Sequence, residues 1–210
     1  MTDEELSPLA LLHRQLELER KGVDAAGRLY RLPGDNPDDI GRVLAAHLAN
    51  GDYVAYFRDD LSDTTVAELR MLEPEQVHRD ADQVMRILNG ASAPESPVFR
   101  GRTFFFATIT ALEYRDVGQR DGRFVVLVDG AIAAEAWSSL SIEHAAELAV
   151  ETRPEFRRRG YARQVCAAWA SQQLAAGRVA FYSHSVDNTA SAALARSLGV
   201  KHVMDIVSYE

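Results

Sequence analysis

A mixed α/β fold, with helices flanking a mostly antiparallel sheet, is the class this chain predicts. Three observations carry that expectation. Hairpin signals, Asp121-Gly122 and Asp129-Gly130, sit between β-rich runs in the middle of the chain. Strand-like and helix-like runs alternate after residue 144, in the order strand, helix, strand, helix, strand. The composition, 47% hydrophobic and 26% charged over 210 residues, is that of an ordinary globular chain long enough to bury a core.

In chain order, residues 7 to 21 read as an amphipathic helix. Ser7 and Pro8 form a favourable N-cap and N1 pair, and Leu9, Leu12, Leu16 and Glu19 fall on one side. The turn cluster Pro33 to Pro37 follows, and Asp38 or Asp39 is suited to cap a helix running through Leu48. Asn50-Gly51-Asp52 breaks that helix, and residues 1–50 are thus expected to form an N-terminal helical extension. Tyr53 to Phe57 then reads as a strand from its aromatic and β-branched content.

Two helices are expected over 62–72 and 75–89, with Ser62 or Asp63 capping the first, Pro74 at the start of the second and Asn89-Gly90 ending it. Ala91 to Pro97 reads as a loop. Thr103 to Leu112 is a strand by its phenylalanines, and Phe124–Val128, Ala131–Trp137 and Ala145–Thr152 continue the sheet. Pro154 stops the last of these. An arginine-rich turn, Arg157, Arg158 and Arg159, then leads through Gly160 and Tyr161 into a helix whose Ala162, Val165, Cys166 and Trp169 share one face. A short strand, Val179 to His184, precedes a second helix opened by Asp187-Asn188-Thr189-Ala190-Ser191 and closed at Leu198-Gly199. The last strand, Val203 to Tyr209, leaves an edge that could pair with a second subunit.

The turn at 157–162 has the makings of an anion site. First-turn N–H groups of a helix lack intrahelical acceptors, the helix dipole is positive there, and arginines clamp phosphate oxygens. Glycine at 160 admits close backbone approach.

Arg157-x-x-Gly160-x-Ala162 resembles the pyrophosphate signature of the GNAT superfamily, the acyl-CoA-dependent N-acyltransferases. Val150 to Phe156 is similar to that family's fourth strand and its exit, and Asn188 to Gly199 to its second motif. The resemblance runs from residue 51 to 210, most closely over 144–200. It implies a sheet splayed between its fourth and fifth strands and acetyl-CoA as acyl donor. It further implies a primary amine, on a small molecule or a peptide, as acceptor, attacking directly in a ternary complex. On this reading the backbone of Val150 and Thr152 pairs with the pantetheine arm. Arg157, Arg158, Arg159, Gly160, Tyr161 and Ala162 hold the pyrophosphate, and Asn188 and Ser191 lie near the thiol or the arm. Asp187 or Asn188 could equally serve as a helix cap.

A general base is expected on the fourth strand. The family position falls at Ala146, with Glu147 one residue away, so a bulge in that strand would be needed to turn Glu147 inward. Glu151 is the second candidate, on Glu147's face if the strand is regular; His144 and His184 are weaker ones. The tyrosine that many relatives carry as general acid is replaced by Ala195, for which Tyr182 is the nearest substitute. Those gaps leave a non-catalytic acyl-CoA sensor as the alternative.

The net charge of −8 argues against a general nucleic-acid binder. No clustered metal-ligand pattern or Gly-x-Ser-x-Gly appears, so no metal is expected. The acidic N-terminus, the lack of a long apolar span and the single Cys166 point to a cytoplasmic chain without a membrane segment.

Overall fold

The computed structural model describes residues 6–32, 41–90, 98–108 and 116–210. The expected turn at Pro33–Pro37, the cap at Asp38 or Asp39, the loop Ala91–Pro97 and the last residues of the strand toward Leu112 lie outside them. The chain divides into two compact units, Thr103–His202 and Thr2–Arg102 with Val203–Glu210. Each has a mostly antiparallel sheet flanked by helices.

The discontinuous unit opens with α1 (Pro8–Leu18), capped by Ser7, whose Oγ accepts from Ala10 N–H at 3.3 Å. Leu11, Leu12, Leu16 and Leu18 are buried while Leu9 is 42% exposed, so the apolar face is rotated from the expected one. Beyond α1 the expectation of a helical extension fails. Residues 21–50 hold β1 (Lys21–Val23), β2 (Arg28–Arg31) and β3 (Val43–Leu48), and no helix runs through Leu48. The reason is legible in β3: Val43, Leu44, Ala45 and Ala46 are all buried, so the run carries no alternation to distinguish strand from helix. Asn50-Gly51-Asp52 is a hairpin turn joining β3 to β4 (Tyr53–Arg58) rather than a helix stop.

Three helices replace the expected two: α2 (Asp63–Leu69), α3 (Pro74–Arg79) and α4 (Ala81–Asn89). Asp80 makes the extra break, its carboxylate accepting from Gln83 N–H at 3.0 Å as the cap of α4. Most of β5 (Val98–Phe105) and of β11 (Lys201–Tyr209) belongs to this unit. The pairing order is β1-β2-β4-β3-β11-β5, so β11 is an internal strand, not the edge expected to meet a second subunit. Val43, Phe57, Val66, Leu69, Val77, Val84, Val207 and Tyr209 form the core.

Tyr209 is fully buried, and its hydroxyl donates to Val77 C=O at 2.6 Å. Burial pushes its phenol up to about 12. Tyr209→Phe is expected to cost about 1–2 kcal/mol by stranding that carbonyl. Because the folded-state value lies above the ordinary 10.0, this contribution is complete below pH 10 and fades as pH rises toward 12. Urea unfolding of both proteins at pH 8 and pH 11 checks the sign: the gap between them must narrow at the higher pH.

The other unit is built from β6 (Val117–Arg120), β7 (Arg123–Val128), β8 (Ala131–Ser141), β9 (Ala145–Thr152), α5 (Tyr161–Ala175), β10 (Val179–Ser185) and α6 (Thr189–Leu198). The expected Thr103–Leu112 strand is shorter, since β5 ends at Phe105. Strand order is β10-β9-β8-β7-β6, antiparallel except for β9–β10. Helix α5 buries Val165, Cys166, Ala167, Ala168, Trp169 and Ala170, more than a single stripe, and Trp169 Nε1 donates to Ser138 Oγ at 3.0 Å. Cys166 is fully buried and burial drives its thiol far up, so it packs as a small apolar group.

Among the described residues, no helix is long and apolar enough to cross a membrane.

Candidate active site

Strand β9 pairs with β8 along its whole length, from Ala134↔Thr152 to Ser141↔Ala146. Its ladder with β10 covers only Ala145–Glu147 against Val179–Phe181, although β9 runs on to Thr152 and β10 to Ser185. Beyond Glu147 and Phe181 the two strands no longer bond to each other, and a gap opens.

Which backbone groups face that gap follows from strand parity. Val179 N–H donates to His144 C=O at 2.9 Å, so the even-numbered residues of β9 turn their N–H and C=O toward β10. Arg153 N–H goes the other way, to Ala133 C=O at 3.1 Å. Val150 and Thr152 therefore present backbone donors and acceptors along the gap. Thr152 C=O already takes one bond, from Arg157 Nε at 3.2 Å.

After β9 the chain makes a 3-10 turn over Pro154–Phe156 and reaches α5 through two left-handed residues, Arg158 (φ 61°) and Gly160 (φ 82°). Gly160 is the N-cap of α5 and provides no side chain to satisfy the first-turn N–H groups. A Cβ built on Gly160 would meet nothing within 4 Å, so open space lies in front of that turn. The arginine triplet is exposed, with the Arg159 guanidinium 5.7 Å from the Phe156 ring centroid. Arg163 Nε donates to Ser197 C=O at 3.1 Å and ties the first turn of α5 to the end of α6.

A cleft of about 610 Å³ joins these features. Val150, Thr152, Arg157, Arg158, Gly160, Tyr161, Ala162, Asn188 and Ser191 line it, and of the cofactor residues expected from sequence Arg159 alone does not. Sequence reasoning missed Phe156, Arg163, Ala193, Ala190, Leu194 and Ser197. A signal for the last three existed: Ala190, Leu194 and Ser197 recur at helical spacing, one face of α6. Asn188 Oδ1 accepts from Ser191 N–H at 3.0 Å, so this side chain is the cap of α6.

The base candidates separate. The ladder does contain an extra residue, but it is Ser139 in β8, between the pairs Ser138↔Leu148 and Leu140↔Glu147. Strand β9 itself stays regular, and the bulge expected to turn Glu147 toward the Ala146 face is in the wrong strand to do so. Ala146 and Leu148 are buried in the core under α5, with Val150 packed against them. Glu147, Ala149 and Glu151 take the opposite face. Four residues of strand put the two glutamate Cα atoms about 13 Å apart, too far to share one proton. Glu151 lines the cleft and Glu147 does not. Opposite Glu151 is Glu135, which pairs with Arg123 at 3.1 Å; the Arg123 guanidinium lies 4.2 Å over the Trp137 ring.

His144 ends up at the closed end of the gap, where its carbonyl bonds β10. His184 and Tyr182 are buried. The Tyr182 hydroxyl donates to Ser191 C=O at 3.4 Å, and burial raises its phenol, so it keeps its proton. Ala195 is buried in the same cluster. Among the described residues, no three His, Cys, Asp or Glu side chains come together as a metal group.

Residues 115–209 match the family model described as GNAT acetyltransferase. This stretch, a little under half of the chain, is thus similar to a GNAT acetyltransferase domain. Among solved structures, an acetyltransferase of the GNAT family from Colwellia psychrerythraea aligns over 98% of this chain and 97% of its own, at 12% identity and a TM-score of 0.48. A GCN5-related N-acetyltransferase from Sphaerobacter thermophilus aligns over 99% and 93%, at 10% identity and a TM-score of 0.48. A GCN5-related N-acetyltransferase-like protein from Streptococcus suis aligns over 63% and 68%, at 14% identity and a TM-score of 0.42. No curated protein sequence matches the chain.

Proposed function

We propose that this protein is an N-acetyltransferase that moves an acetyl group from acetyl-CoA to a primary amine. The observation that carries the reading is one continuous cleft, running from the gap-facing backbone of Val150 and Thr152 to the first turn of α5. Its parts suit the parts of the donor. Amide groups in an extended arm pair with a strand edge without needing particular side chains. A diphosphate suits a helix N-terminus that lacks a capping side chain, has open space at Gly160 and stands beside Arg157 and Arg158.

In the transfer, the neutral amine nitrogen attacks the thioester carbonyl carbon. The C–N bond forms, the C–S bond breaks, the amine loses a proton and the thiolate gains one. Glu151 receives the amine proton, directly or through water. Tyr182, kept protonated by burial and bonded through its hydroxyl to the carbonyl of the cleft-lining Ser191, is a phenol placed to return one to sulfur. The chain's net charge of −8 favours approach of a cationic acceptor.

Two measurements test the proposal together. Acetyl-CoA is expected to raise the melting temperature by several degrees at 1 mM, and free thiol is expected to appear with at least one member of a panel of small amines and peptide N-termini. Stabilisation without thiol release across a broad panel would remove the catalytic part of the reading, and no stabilisation would remove all of it.

A further inference from the structure

On the sheet face turned away from α5, Glu151 has charged neighbours. Cross-strand pairs share a face, so Glu151, Glu135 and Val125 form one row, and Ala149 and Trp137 the next. Arg123, two residues before Val125 on β7, extends the second row. Its Nη1 lies 3.1 Å from Glu135 Oε2, and its guanidinium lies 4.2 Å over the Trp137 ring. Arg120 is paired directly with Arg123 across the β6–β7 turn and shares the same face.

This end of the face holds more positive charge than its carboxylates neutralise. Glu135 is the partner of Arg123, and Arg120 has none among the described residues. A guanidinium carries five N–H donors in one plane. Glu135 engages Nη1, the other nitrogens of Arg123 have no partner among the described residues, and 42% of the side chain stays exposed. Stacking on Trp137 and the bond to Glu135 fix the plane, so the open donors have a set direction. Like charges directly opposite each other destabilise a hairpin, and an oxyanion received between Arg120 and Arg123 relieves that repulsion.

Building on the acyltransferase reading, we infer that Arg123 binds a carboxylate of the acceptor, which is a free amino acid whose amine meets Glu151. The scale fits a small molecule. Neighbouring strands are about 4.8 Å apart, and Glu135, directly across from Glu151, itself holds the guanidinium. A molecule that bridges the Arg123 donors and the Glu151 carboxylate therefore carries its amine about one or two carbons from its own carboxylate. A simple amine leaves Arg123 without that partner, and a peptide N-terminus brings a neutral amide to the carboxylate's place. An amino acid's ammonium group still answers to the chain's net charge of −8 on approach, and the arginines then select among the amines that arrive.

The test follows thiol release from acetyl-CoA with the common amino acids, their amides and the corresponding decarboxylated amines. For at least one side chain the free acid is expected to exceed its amide and its amine about tenfold in kcat/KM. This comparison uses the wild-type chain and so does not depend on how a variant folds. Arg123→Gln is expected to lower kcat/KM for that acid about tenfold more than for its amide, through KM rather than kcat. Amides or simple amines used as well as the acids by the wild-type chain would overturn the assignment. Equal losses for acid and amide in the variant would overturn it too, since a merely structural role of Arg123 affects both alike. Thiol release that ignores the carboxylate removes this inference alone, whereas no thiol release with any amine removes the catalytic reading and this inference with it.

Discussion

Gly160→Asp is expected to weaken CoA binding by about 100-fold while leaving the chain folded. The reasoning separates conformation from charge. Gly160 sits at φ 82°, a left-handed conformation that costs a residue with a Cβ about 1–2 kcal/mol. Nothing lies within 4 Å of that Cβ, so no clash adds to the strain. A carboxylate at this helix N-terminus also interacts favourably with the dipole by about 0.3–1 kcal/mol, which offsets part of it. The remaining effect falls on the ligand. A negative charge about 4–5 Å from a diphosphate, at an effective dielectric near 20, opposes binding by about 3 kcal/mol, equivalent to about two decades of affinity. Gly160→Ala is the control: it carries the strain without the charge, and CoA affinity should stay within about threefold. Titration of both variants with CoA, alongside their melting temperatures, decides the matter. Equal affinities for the Ala and Asp variants would mean that the diphosphate does not rest on this turn.

The second large effect is on turnover. Glu151→Gln is expected to lower kcat by about 100-fold, the lower end of what a general base contributes, with KM for acetyl-CoA within about twofold. The donor side should be spared, since on the proposed reading its arm pairs with backbone groups that the substitution does not touch. Glu147→Gln, on the same face but about 13 Å along the strand and away from the cleft, should stay near wild type. Steady-state kinetics with one competent amine distinguishes the pair. A large loss in the Glu147 variant together with a normal Glu151 variant would reverse the assignment, and normal kinetics in both would move the base elsewhere.

The C-terminal half was the more readable part of this sequence, for reasons visible in particular residues. Pro154, Gly160, Asn188 and Gly199 punctuate the stretch that holds β9, α5, β10 and α6, and each does what its chemistry favours: a break, a left-handed N-cap, a side-chain cap and a left-handed C-cap. The misread helix at β3 had no such marks. Its four successive buried residues erase the alternation on which a strand is recognised. Asp80 was missed as a break because an aspartate inside a helical pattern looks like a surface residue until its carboxylate is seen capping α4. The glutamates were harder still. Their facing depends on which of two neighbouring strands takes the additional residue, and Ser138-Ser139 offers no periodic signal that β8 is the one.

Strand β11 has a consequence for how the protein is made. It binds β3 from Met204↔Leu48 to Tyr209↔Val43, so the N-terminal strands lack a central partner until residues 204–209 have been synthesised. During translation Val43, Ala45 and Phe57 wait beside an empty slot, and a ribosome pausing before β11 has emerged would hold an incomplete, sticky intermediate. The same geometry bears on where the gene can be cut. A fragment limited to residues 115–209 would carry β11 without the strand it pairs with and leave Val207 and Tyr209 bare, an invitation to aggregate rather than a minimal enzyme.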